Sequence, residues 1–159
     1  MRLSEIVAAP EMRDTQPADT IRAVDAGVAM GLFEVTNTPL EPAPAAVEGT
    51  VSLTSPFNRA ILVSDALGGR PVALASEKSG TGHTLGDLDA AMLHELAERG
   101  RSGLAERVEA RLAGSGRSIQ QDGKPVVNAD TRRQLIADAC DAFITKSLPQ
   151  LARLGIVKA

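Results

Sequence analysis

A glycine-rich turn is the stretch whose residue types could bind a ligand most directly. Residues 77–84 read E-K-S-G-T-G-H-T and lie between a predicted strand and a predicted helix. In that setting, backbone N–H groups and the positive end of a helix can hold phosphate. The turn predicts one alternative function, a small phosphate- or nucleotide-binding enzyme. Its candidate ligand-binding residues are Gly80, Gly82, His83 and Thr84.

The same turn departs from the phosphate-binding motif at the two positions that carry its mechanism. The stretch loosely resembles G-x-x-x-x-G-K-[ST], but Glu77 stands in place of the first glycine and His83 in place of the lysine. These differences remove the tight turn and the fixed positive charge. We therefore favour a loop that opens a helix, with Thr84 as its N-cap, over a nucleotide site.

Basic residues in the second half of the chain predict a different chemistry. Residues 84–127 have the order helix, tight turn, helix, hairpin that is typical of a winged helix-turn-helix. A DNA-binding regulator of this kind is the second alternative function, and its phosphate and base contacts would be Arg107, Arg111, Arg117 and Lys124. However, Thr84–Arg133 contains eight basic and eight acidic residues. Because DNA affinity depends on phosphate neutralisation, this balance does not favour a nucleic-acid partner.

Histidine, cysteine and carboxylate residues give no catalytic signature. His83 and His94 lie about three helical turns apart, too far to ligate one metal ion, although a site made of His83, Asp87 and distant residues stays open. Cys140 is the single cysteine, so there is no internal disulfide, and its place on an apolar stripe predicts a buried, inert thiol. The acidic pairs 87/89, 95/98 and 106/109 are typical of solvated helix faces. We expect no metal and no cofactor, and we consider an enzyme the less favoured class.

Helices are predicted where apolar residues recur at helical spacing beside capping residues. Ser4 begins a short helix that stops before Pro10, and residues 11–18 are predicted to be loop. Four longer helices follow, and Pro149 is expected to kink the last. They start at Asp19, Thr84, Ser102 and Asp130, and the first three end at Gly31, Gly100 and Gly114. A strand over Val28–Val35 is the alternative to the end of the first of these helices.

Strands are predicted where β-branched and apolar residues alternate between turn residues. They cover Leu32–Thr36, Thr50–Thr54, Arg59–Ser64 and Arg70–Ser76, with a further hairpin over Ser118–Val127. Gly68 and Gly69 are expected to join the third and fourth strands, and Asp122-Gly123 favours the tight turn of the last hairpin. The fold class is therefore α+β. A small, mainly antiparallel sheet of about four strands from the first half packs against a helical second half.

The chain is expected to hold an N-terminal arm, residues 1–18, and one α+β domain, residues 19–159. A proline-rich connection, residues 37–48, should be extended and semi-rigid because proline fixes φ and donates no backbone hydrogen bond. It is either an ordinary surface connection or an arm that lies on a neighbouring subunit. The apolar end, Ile156 and Val157, predicts a docked C-terminus.

Composition favours a structural role over the two alternatives. The 159 residues include no Trp, no Tyr and three Phe, and the net charge is −3. A core without large aromatic residues buries less area per residue, which mildly favours additional burial in an oligomer. No apolar stretch approaches the length of a membrane span or signal peptide, so we expect a soluble protein made in the cytoplasm, with no membrane partner. The favoured function is a non-catalytic subunit of a homo-oligomer or larger assembly. One concrete form is a virion-type structural or capsid-decoration protein.

Overall fold

The computed structural model of the chain describes residues 3–30, 35–36, 40–47, 49–66, 68, 70–121 and 123–158. The fold class is α+β, as predicted, with helices between short antiparallel strand pairs. The chain divides into two compact units. One comprises Met1–Glu41 and Lys78–Gly80, and the other comprises Pro42–Glu77 and Thr81–Ala159. The predicted boundary between an arm and a domain at residue 18 stays a prediction.

The described residues of the first unit contain two helices, α1 (Leu3–Val7) and α2 (Pro17–Ala29), with a 3-10 turn at Pro10–Met12 between them. The helix predicted from Asp19 therefore starts two residues earlier, and the predicted loop over residues 11–18 is partly helical. The reason is Pro17, whose fixed φ suits the first turn of a helix. Asp19 lies in that first turn and is not the cap.

The segment after α2 is described only in part. The predicted strand Leu32–Thr36 falls mostly outside the described residues and stays a prediction. Residues 40–47 of the proline-rich connection form neither helix nor strand, as expected for closely spaced prolines. Val47 is buried, so this connection is anchored at one apolar side chain.

Residues 59–64 lie in a helix, α3 (Pro56–Asp65), and not in the predicted strand. Ser55 is its N-cap, because the Phe57 N–H donates to the Ser55 hydroxyl at 3.2 Å, and Pro56 occupies the first turn. This serine-proline pair is a helix start signal that outweighs the strand-like composition of the apolar run. A hairpin between Arg59–Ser64 and Arg70–Ser76 is therefore wrong.

In the described part of the chain, the strands form three separate antiparallel pairs and not one four-stranded sheet. Strand β1 (Ser52–Leu53) pairs with the C-terminal strand, β6 (Val157–Lys158). Strand β2 (Val72–Ala75) pairs with β3 (Gly82–Leu85), so the glycine-rich turn joins two strands. The predicted hairpin over Ser118–Val127 is confirmed as β4 (Gln120–Gln121) and β5 (Lys124–Pro125), with Pro125 exposed at an edge.

A helical corner follows β3 in the chain. Helix α4 (Asp87–Arg99) is followed by the predicted Gly100 as its C-cap, and α5 (Leu104–Gly114) begins after a four-residue turn, residues 100–103. The predicted cap Thr84 is wrong, because that residue is the cross-strand partner of Ala73 in β3. The predicted cap Ser102 is also displaced, since Gly103 takes the N-cap position with a φ of 63°, which favours glycine.

The C-terminal helix is continuous but changes its pitch. Helix α6 (Ala129–Ala142) passes through a π-helical segment, Phe143–Ser147, into α7 (Leu148–Arg153). The widened turns come directly before Pro149, which lacks an N–H and crowds the carbonyl of the preceding turn. The N-cap is Asn128, which accepts from the Thr131 N–H at 2.9 Å, and not the predicted Asp130.

The core of the second unit is aliphatic with one buried phenylalanine, as the composition predicts. Its largest fully buried side chains are Leu62, Leu74, Met92, Leu93, Leu96, Ile136, Phe143, Leu148, Leu151 and Ile156. The docked C-terminus is confirmed, because Ile156 and Val157 are buried. Among the described residues, no helix is long and apolar enough to cross a membrane.

Candidate functional site

A buried carboxylate lies between α4 and α5. Glu95 on α4 is 7% exposed, and its two oxygens form ion pairs with two arginines of α5. Arg107 Nε lies 3.1 Å from Oε2 and Arg111 Nη1 lies 3.0 Å from Oε1. The two arginines are four residues apart, so they project from one face of their helix. We call Glu95, Arg107 and Arg111 the corner cluster.

Arg107 also satisfies the end of α4. Its Nη2 donates to the carbonyls of Gly100 and Glu95, and its Nη1 donates to the carbonyl of Ser102. The last carbonyls of a helix have no partner within the helix, and a guanidinium group offers five donors in a fixed plane. The corner cluster therefore fixes the angle and the tight turn between α4 and α5, which is a structural task.

The prediction that acidic pairs on these helices are solvated is wrong for Glu95. Glu109 is also partly shielded, and it pairs with Arg132 at 3.0 Å and with Arg133 at 3.6 Å across α5 and α6. The signal that could have identified these pairs was the i, i+4 repeat of arginines on α5 beside a helix of opposite charge.

The three arginines and the one lysine that were predicted to contact DNA have different surroundings. Arg107 and Arg111 keep only 18% and 28% of their side-chain surface and share one carboxylate. Arg117 forms an ion pair with Asp87 at the start of α4. Lys124 is exposed on β5. The winged-helix assignment stays a prediction, and the observed pairing leaves less unneutralised positive charge for phosphate than the sequence offers.

The residues predicted to bind phosphate lie in or beside a strand. Gly82, His83 and Thr84 form β3 opposite Ala75, Leu74 and Ala73, and Gly80 has a φ of 72°. Helix α4 begins only at Asp87, so its N-terminus does not open from the turn itself. The expectation that the turn leads directly into a helix is therefore wrong, whereas the phosphate assignment of these four residues stays a prediction.

Four groups on the helices have shifted pKa values, and the hydrogen bond and charge of Arg59 lower the pKa of the exposed Glu98. Burial lowers the pKa of His94, and the positive charge of Arg111 adds to this effect. Burial raises the pKa of Asp89, and it raises the pKa of the Cys140 thiol to about 11. Because a thiol with such a pKa is protonated near neutral pH, Cys140 is not activated as a nucleophile.

Two shallow cavities lie on the second unit. One, of about 240 Å³, lies between α5 and α6 and is lined by charged side chains that include the paired Glu109 and Arg133. The other, of about 220 Å³, is lined by β1, the start of α3 and Ala97. Among the described residues, no group of three or more His, Cys, Asp and Glu side chains is placed to hold a metal ion.

No protein-family model, no curated protein and no solved structure matches this chain. Its function must therefore be argued from its own residues.

Proposed function

We propose that the protein is a non-catalytic subunit of a homo-oligomeric assembly. The observation that carries the proposal is the outer face of α3. Phe57 and Val63 on this helix are 61% and 60% exposed, and Ala60 between them is exposed as well. Burying a phenylalanine side chain contributes about 1.5–3 kcal/mol, so this face would gain free energy if a second subunit covered it.

The rest of α3 is firmly fixed, which makes its outer face a suitable contact surface. Leu62 is fully buried on the inner side, and Asn58 is fully buried and bonded to the backbone of β2. A surface that is already ordered loses little conformational entropy when it binds. The apolar residues of this face therefore need not be rearranged before a subunit contacts them.

The polar clusters support the same proposal because they stabilise the fold. The corner cluster holds α4 against α5, and the Glu109 pairs link α5 to α6. Cys140 is buried, with its thiol pKa raised to about 11 by that burial. Glu95 and Glu109 thus have structural partners, and the Cys140 thiol has low reactivity.

A virion-type structural or capsid-decoration protein is the concrete form of this assembly that the composition favours. In that form, the N-terminal segment and the proline-rich connection would contact neighbouring copies. Ile156 and Val157 would not, because they are buried beside β1 and α7 of their own chain.

The test compares polar substitutions on α3 with a matched substitution elsewhere. Phe57→Ser combined with Val63→Ser should weaken self-association at least about tenfold, measured by sedimentation velocity over a concentration series. Val127→Ser is the control, because Val127 is 88% exposed but stands outside α3. Equal association of the double variant and the wild type would remove α3 from the interface.

A further inference from the structure

The hydrogen bonds of the β2–β3 hairpin show which backbone groups face outward. The Ser76 N–H donates to the Thr81 carbonyl at 3.0 Å, which makes this facing pair a hydrogen-bonded one. Hydrogen-bonded and non-bonded pairs alternate along an antiparallel ladder. In the observed register, two further pairs are therefore hydrogen-bonded within the hairpin: Leu74 with His83, and Val72 with Leu85. The N–H and C=O groups of Gly82 and Thr84 point away from β2.

The two edges of this hairpin differ. On the β2 side, the side chain of Asn58 bonds to both outward backbone groups of Ala75, which leaves the exposed Ala73 as the β2 residue whose outward groups Asn58 does not reach. On the β3 side, Gly82 and Thr84 are exposed, and none of the described residues bonds to their outward backbone groups. An open edge is usually blocked by proline, lysine or a bulge, and the sequence G-H-T-L contains neither proline nor lysine.

Gly82 makes this edge accessible to another backbone. Its conformation is that of a strand, and a Cβ added there would meet only the Ala73 side chain, at an ordinary 3.7 Å. The hairpin itself therefore does not require glycine at this position. A glycine in a strand often marks a place where another backbone approaches closely.

We propose that β3 pairs antiparallel with β3 of a second copy across a two-fold axis centred on His83. This inference rests on the proposed homo-oligomer and names a second contact between copies, separate from the outer face of α3. Gly82 then faces Thr84 of the second copy, and the two His83 residues face each other. A second copy is the occupant because its edge presents the same two donors and two acceptors, and this centre satisfies all of them with four backbone hydrogen bonds.

The pairing would also stabilise the hairpin. A two-stranded sheet is marginal by itself, whereas three or more strands are stable more often. Two copies would form a continuous four-stranded antiparallel sheet with β2 at both ends, where Asn58 bonds to the outward backbone groups of Ala75 in each copy. If the axis were centred on Gly82, only Gly82 would face an outward residue of the second copy, namely the second Gly82. The same holds for Thr84 if the axis were centred there.

A disulfide test reports this register directly. In a Cys140→Ala background, His83→Cys places two thiols in a non-bonded facing pair, where the Cα atoms are about 4.5 Å apart and within disulfide range. Thr84→Cys in the same background is the matched control, because its equivalent in the second copy lies about 8 Å away, beyond that range. We expect mild oxidation to cross-link the His83→Cys protein into dimers and to leave the Thr84→Cys protein largely monomeric on denaturing gels.

A second measurement removes one backbone donor. Thr84→Pro eliminates an outward N–H that the hairpin does not use, and Thr84→Val keeps it. We expect the proline variant to self-associate at least about tenfold more weakly than the valine variant, since two intermolecular hydrogen bonds are lost. Equal association of the two variants, or equal cross-linking at positions 83 and 84, would overturn the pairing. If the wild type is oligomeric while His83→Cys forms no disulfide, the copies meet elsewhere and the proposed function stands. A monomeric wild type would refute both.

Discussion

The side chain of Asn58 forms two hydrogen bonds to the backbone of a single residue, Ala75. Its Oδ1 accepts from the Ala75 N–H at 2.7 Å, and its Nδ2 donates to the Ala75 carbonyl at 2.8 Å. The amide thus replaces a neighbouring strand and joins α3 to β2. Because Asn58 is fully buried, no solvent competes for these bonds.

Replacing Asn58 should test how much this link stabilises the protein. Asn58→Ala removes both hydrogen bonds and leaves the N–H and C=O of the half-buried Ala75 without these partners, so we expect the free energy of unfolding to fall by about 2–4 kcal/mol in urea denaturation. Ser64→Ala on the same helix is the control, because the Ser64 hydroxyl donates only to the exposed end of its own helix. A loss below about 1 kcal/mol would show that the link is not important.

The corner cluster predicts a second stability effect. Glu95→Gln removes the shared charge and leaves Arg107 and Arg111 partly buried without a carboxylate, which should destabilise the protein by about 2–3 kcal/mol. Glu98→Gln is the matched control, because its partner Arg59 is exposed and surface pairs contribute little. If both variants unfold at the same urea concentration as the wild type, the cluster does not hold the helices together.

The longer helices other than α3 could largely be predicted from the sequence, although the residues that cap their starts are not the predicted ones. The corner α4–α5, the hairpin of Asp122-Gly123 and the buried face of α6 follow from periodicity and turn residues. Helix α3 could not be predicted, because its apolar run has the composition of a strand and only Ser55 and Pro56 indicate a helix start. Pairing of β1 with β6 was also hidden, since more than a hundred residues separate them.

Burial of His94 predicts a pH dependence of stability. Its pKa in the folded protein lies below the ordinary 6.5, because burial and the Arg111 charge disfavour the cation. The stability that this group contributes is therefore fully present above pH 6.5 and is lost as the pH falls through the folded pKa. A histidine NMR titration, with His94→Gln for assignment, should give a value below 6.5. Urea denaturation from pH 8 to 5 should show a smaller loss of stability in His94→Gln than in the wild type. A value above 6.5 would contradict the burial of this side chain.

Cys140 should be a slow target for alkylation. With a pKa of about 11, its thiolate fraction at pH 8 is lower by at least about a hundredfold than that of an unfolded thiol. Iodoacetamide should therefore label native protein at least about a hundredfold more slowly than protein in urea. Ser118→Cys in a Cys140→Ala background provides an exposed thiol as the reference. Native labelling of Cys140 at the rate of that reference would show a reactive site.

The side-chain partners of the charged residues could be predicted least. Sequence spacing places Arg107 and Arg111 on one face of α5, but it does not show whether that face meets DNA, solvent or another helix. The answer depends on the turn at Gly100 and Gly103, which brings Glu95 of α4 against that face. The strand at Gly82–Leu85 was missed for a similar reason, because glycine and threonine there also fit a helix start.

The solution mass of the wild-type protein tests the central claim most directly. Light scattering over a range of concentrations should give the wild type a multiple of the 16.6 kDa chain mass. Removal of residues 1–18 and the Phe57→Ser/Val63→Ser substitutions should each lower the number of chains in the assembly. A mass of 16.6 kDa for the wild type at every concentration would contradict the assembly proposal.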